Sequence, residues 1–134
     1  MTQAELVLPA DPSAPSKARE LLAEVLTDEV GSEELALGAL ALSEVVSNAV
    51  RHGGSAGAPI RLRIEHEGEV VRITVIQPGP VRDVPSIVEM PEPWSTHGYG
   101  LGILDAVAAR WGVQVDPPSV WFELSLQDGE GPAP

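Results

Sequence analysis

The 134-residue chain contains no cysteine, which excludes disulfides, a thiolate nucleophile and Cys-ligated zinc together. Lysine is almost as scarce. Lys17 is the only one, and the eight basic side chains stand against 20 acidic ones, for a formal net charge of -12. Proteins that hold nucleic acid draw much of their affinity from Lys and Arg on phosphate, and no basic stripe is left to build one here. Aromatics supply only 4% of the residues, so the core must be mostly aliphatic. No apolar run approaches the roughly 20 residues of a membrane span. The start, MTQAELVLPADPSAPS, lacks the basic and apolar blocks of a signal peptide, so a cytoplasmic protein is expected. Hydrophobic residues at 43% suffice for one globular domain.

Proline, glycine and small residues mark residues 1–15 as a tail or edge strand and 128–134 as a flexible tail, leaving 16–127 as the domain. Leu21, Leu22, Val25 and Leu26 recur at helical spacing between Ser16 and Val30, with Gly31 as a stop. A longer helix runs from a Ser32 cap and an acidic first turn to Arg51, His52 and two glycines. Alternating Ile60, Leu62, Ile64 and then Val71, Ile73, Val75 predict two strands joined by a hairpin turn. After a Pro-rich stretch, 77–97, come a glycine-flanked helix in GLGILDAVAARWG and two strand-like runs, GVQV and SVWFELSL. This order predicts an α+β, two-layer sandwich, a mostly antiparallel sheet with helices on one face.

On the long helix, at about 100° per residue, Asn48 falls about 40° and His52 about 80° from Glu44, while Leu35, Leu42, Val46, Ala49 and Val50 cluster on the far side. Such a polar stripe is what any solvated helix face shows. Ala41 beside it lets something approach closely. Chemically, Glu44 offers a base for a hydroxyl or water proton, and Asn48 one turn on offers an oxygen for a hard cation such as Mg2+. His52 suits the helix terminus as His+.

Gly98, Gly100 and Gly102 precede a helix and can present free N–H groups to phosphate, or merely allow a tight entry. They match neither G-x-G-x-x-G nor a P-loop. Gly79, between Pro78 and Pro80, lets backbone approach a ligand or makes a turn. Gly53-Gly54-Ser55-Ala56-Gly57 fits G-x-S-x-G, but a helix precedes and a strand follows, the reverse of a nucleophile elbow. His52, His66 and His97 lack metal-ligand spacing.

Taken in order, Leu42 to Gly53 (LSEVVSNAVRHG), VRITVIQPGP, Gly98-Tyr99-Gly100-Leu101-Gly102 and Val120-Trp121-Phe122-Glu123-Leu124 resemble the anti-sigma-factor serine/threonine kinases. These belong to the histidine-kinase-like ATPases of the Bergerat fold, and the resemblance spans nearly the whole domain. It implies ATP and Mg2+ as cofactors, with Glu44 as the general base toward a partner's serine and Asn48 as the Mg2+ holder. Gly79 would lie under adenine, residues 82–97 would form the lid, and Gly98, Gly100, Leu101 and Gly102 would face the phosphates. Partners would be a sigma factor or its antagonist, with no direct nucleic acid and no membrane, and with a homodimer left open.

Where the family has an aspartate for the adenine amino group, Gln77 or Pro78 stands. A glutamine amide can accept from the amino group and donate to a ring nitrogen, with less strength than a charged acceptor. Arg51 and Arg82 are the cations nearest in sequence to assist an anionic nucleotide. Two readings follow: a regulatory kinase that phosphorylates the antagonist, or a nucleotide-poor pseudokinase that binds proteins. Retained Glu44 and Asn48 favour the first, Gln77 the second.

Overall fold

The computed structural model describes residues 2–26, 30–52, 59–77, 102–115 and 118–125. Five strands form one antiparallel sheet in the order β1-β2-β3-β5-β4: β1 (Thr2–Leu8), β2 (Ile60–Glu67), β3 (Val70–Ile76), β4 (Arg110–Val115) and β5 (Pro118–Ser125). Among the described residues the helices are α1 (Ala14–Leu26), α2 (Ser32–His52) and α3 (Gly102–Val107). This is the α+β arrangement that the element order predicts.

Alternation decides the two faces of the sheet. Leu8, Ile60, Leu62, Ile64, Val71, Ile73, Val75, Phe122 and Leu124 are buried. They pack with Ala14, Ala18, Leu22 and Leu26 of α1 and with Ala41, Leu42, Val45, Val46 and Ala49 of α2. Phe122 is the largest fully buried side chain, and its strand register places it between Ile73 and Trp111. The β2–β3 turn has two residues, and Gly68 takes φ +62° there, a conformation that costs glycine little.

The outer face carries paired charges. Arg61 and Arg63 share Glu5, and Arg72 and Arg110 share Glu123. The Arg72 guanidinium lies 4.2 Å from the Trp121 ring centre and that of Arg110 5.7 Å away, within cation–π range. Trp121 crosses directly over Gly112, where an added Cβ would sit 2.9 Å from three ring atoms.

Among the boundaries that differ from the sequence expectations are the starts of α1 and α2 and the end of α3. Helix α1 begins at Ala14 because the Ser13 carbonyl accepts the first helical bond, from Lys17 N–H, while Asp11 Oδ1 accepts from both Ser13 N–H (2.8 Å) and Ser13 Oγ–H (2.5 Å). Pro15 in the first turn needs no N–H partner. Helix α2 is capped by Gly31, whose carbonyl accepts from Leu35 N–H, one residue before the expected Ser32. Helix α3 ends at Val107 instead of continuing through the alanines. Ala109 N–H already donates to Glu123 O, Arg110 pairs with Glu123, and Trp111 Nε1–H donates to Asp105 Oδ1 at 2.8 Å. Sheet pairing here outweighs alanine's helix propensity.

The Asp11 carboxyl is held below its ordinary value of 3.8, first by the Ser13 hydroxyl and next by the Ser13 N–H. A depressed carboxyl stabilises the fold above the unfolded-state value and loses that contribution as pH falls through the folded one. Ser13→Ala is expected to bring the Asp11 carboxyl NMR midpoint back toward the ordinary value. An unmoved midpoint would remove the Ser13 hydroxyl as the leading cause.

Candidate functional site

Helix α2 carries Glu44 and Asn48 in its C-terminal half, and two landmarks orient that half. Glu33, Glu34 and Leu37 share a groove of about 270 Å³ with Val107, Leu124 and Ser125, so α2 starts over the sheet end where Val70 pairs with Ser125. Ser47, Val50 and Arg51 share another groove, also about 270 Å³, with Pro12 and Pro15. These prolines follow β1, whose Leu8 faces Ile60. Helix α2 therefore spans the sheet and brings Asn48 to the end where β3 finishes at Ile76, immediately before the half-buried Gln77. Its 21 residues make about 30 Å, enough to cross a seven-residue strand of about 23 Å.

Helix α2 packs against both β3, the strand that precedes Gln77, and α3, the helix that begins at Gly102. Gly102 is the half-buried first residue of α3. Gly79, Gly98, Gly100, Leu101, the 82–97 segment, Arg82, His97 and the 53–57 glycine cluster lie outside the described residues, as does the His52 side chain.

The polar stripe is not opposite the core. Asn48 is only 7% exposed, and Ala41 and Val45 are fully or almost fully buried, while Glu44 is half-buried. The reason is that α2 touches α1, α3 and β3 at once, so its buried arc extends beyond the face that a helix on a flat sheet would bury. Ala41 fills core space instead of clearing a path to the stripe. The far-side residues do lie in or against the core, with Leu42, Val46 and Ala49 buried and Leu35 and Val50 packed on it.

Among the described residues, the Asn48 carboxamide is held at one end only. Arg51 Nη2 donates to Oδ1 at 2.5 Å, and Nδ2 is buried without a hydrogen-bond partner among the described residues. Burying an unsatisfied donor costs about 1–3 kcal/mol. A native chain keeps such a group where something else completes it, as a ligand does. Next to Glu44, Ser43 Oγ accepts from Arg19 Nη1 at 2.8 Å, which ties α1 to this part of α2. Neither arginine contact was assigned from sequence. The N-x-x-R spacing, three residues on one helix face, is the signal that could have paired Arg51 with Asn48, whereas Arg19 and Ser43 are joined only by tertiary structure.

The donor set suits a phosphate-bearing, Mg2+-linked ligand: Nδ2 can donate to a phosphate oxygen, and Oδ1 is the hard oxygen that Mg2+ prefers. No helix among the described residues is long and apolar enough to cross a membrane.

Comparison with known proteins gives a family and a fold. Residues 8–118 match the family described as "Histidine kinase-like ATPase domain". Among solved structures, the crystal structure of the RsbU and RsbW domains of Rv1364c from Mycobacterium tuberculosis superposes with a TM-score of 0.68 at 22% identity. The alignment covers 93% of this chain and 32% of that one, so the chain spans about a third of that protein's length. At this identity the likeness concerns the fold. No curated protein gives a match.

Proposed function

Since the chain belongs to the histidine kinase-like ATPase domain family, we propose that it is a regulatory, ATP-dependent protein serine/threonine kinase of the anti-sigma-factor type. Its partners would be a sigma factor or that factor's antagonist, met in the cytoplasm, and the antagonist would be phosphorylated. The observation that carries the reading is the buried, half-satisfied Asn48 one helical turn from Glu44, at the Gln77 end of the sheet. The RsbW domain named in the structural match supports the choice of partners.

When bound, ATP supplies the phosphoryl group and Mg2+ offsets charge on its phosphates. Glu44 takes the proton of the partner's hydroxyl as that oxygen attacks. Asn48 would hold the ion through Oδ1 and a phosphate oxygen through Nδ2. By the resemblance, Gln77 would serve the adenine edge and Gly79 would lie under the ring, and backbone N–H groups of Gly98, Gly100, Leu101 and Gly102 would serve the phosphates.

Glu44→Gln is the direct test. It is expected to leave Mg2+-dependent ADP binding intact and to reduce phosphate transfer to the partner by about 10²- to 10⁴-fold, measured with labelled ATP. Transfer at the wild-type rate would remove Glu44 as the base. The second reading, a nucleotide-poor pseudokinase, is favoured by the neutral Gln77. Absence of ADP binding at millimolar concentration with Mg2+ would decide for it, while an affinity raised by Gln77→Asp would identify Gln77 as the weak point.

A further inference from the structure

The two ends of the Asn48 carboxamide meet opposite circumstances. Arg51 already donates to the oxygen, while the nitrogen is buried without a partner among the described residues. A guanidinium donates and cannot accept, so this contact also fixes which end of the amide is oxygen. That oxygen is the atom a hard cation would require, and two positive groups on one oxygen repel each other.

We infer that Arg51 is a positioning residue that competes with Mg2+ for the Asn48 carboxamide oxygen, orienting the amide in the ion-free protein and leaving the oxygen when the ion arrives. The inference rests on the reading above that Asn48 holds Mg2+. Three features support it. Arg51 follows Asn48 by three residues on the same helix face, so it reaches the oxygen without help from another element. Arg51 is exposed, so its guanidinium can return to water without uncovering core. It also borders the Pro12, Pro15, Ser47 and Val50 groove, which leaves space beside α2 for another rotamer. Arg51 thus acts as a resident cation that keeps Oδ1 facing one way and Nδ2 the other until a stronger cation replaces it.

The test is isothermal titration calorimetry of ADP across a Mg2+ series with wild type, Arg51→Met and Arg51→Lys. Arg51→Met is expected to lower the Mg2+ concentration for half-maximal affinity several-fold, with Arg51→Lys close to wild type. An unchanged or higher Mg2+ requirement in Arg51→Met overturns the competition. In the nucleotide-free protein, the Asn48 side-chain amide NMR signal is expected to move on Arg51→Met, and an unmoved signal also overturns it. Absence of ADP binding by wild type at every Mg2+ concentration would overturn the proposed function together with this inference. Wild-type binding with an unshifted Arg51→Met curve would overturn the inference alone.

Discussion

Asn48→Leu is expected to weaken Mg2+-dependent nucleotide binding by roughly 10- to 150-fold while leaving the melting temperature unchanged or higher. The binding loss follows from removing one hydrogen bond to a charged group, worth about 1.5–3 kcal/mol, before any loss at the ion. The stability gain follows because Asn48 is 93% buried, by its 7% exposure, with an orphaned donor. An apolar side chain of similar size removes that burden, while the exposed Arg51 regains water. Each kcal/mol gained raises the melting temperature of a domain this size by about 4 °C. Opposite signs for binding and stability are the signature of a group retained for function. Wild-type affinity in Asn48→Leu would take Asn48 out of the site. A melting temperature lowered as in a core lesion would mean that the amide is structurally satisfied.

Phe122→Ala is expected to be the most damaging single core change, costing about 3–5 kcal/mol out of the roughly 5–15 kcal/mol that holds a domain together. The only phenylalanine in the chain lies fully buried on β5, in register with Ile73 and Trp111 on the two flanking strands. With so few aromatics, nothing nearby can expand to fill the space. Val7→Ala, on an edge strand and 61% exposed, is expected to stay within about 0.5 kcal/mol of wild type. Urea unfolding checks both, with the midpoint displaced and the slope kept. A Phe122→Ala cost near that of Val7→Ala would mean that Phe122 is not the hub of the sheet.

Local pattern carried far in this chain. Alternation of Ile60, Leu62, Ile64 with charged neighbours gave β2 its faces, and the glycines after His52 marked the end of α2, because both signals depend only on adjacent residues. The order of elements then limited the architecture to helices on one side of an antiparallel sheet. What escaped depended on distant partners. The alanines of 106–109 read as helix until Ala109 and Arg110 find Glu123 fourteen and thirteen residues later. The depth of Asn48 depends on three elements meeting around α2, which no helical wheel displays. Glu44 and Asn48 were legible as a chemical pair from their spacing. The constraint that Arg51 places on Asn48 needed the side-chain geometry.

The Trp121 ring over Gly112, with Arg72 and Arg110 above it, has a consequence for how this sequence can drift. Positions 112 and 121 share one volume on neighbouring strands, so neither is free to change alone. Any side chain arriving at 112 must displace the ring, and a smaller residue at 121 uncovers backbone at 112 and takes the aromatic face from both arginines. Viable substitutions therefore come in pairs. A smaller side chain at 121 is the change that makes room for a Cβ at 112, and Arg72 and Arg110 would then keep their Glu123 ion pairs without the ring between them.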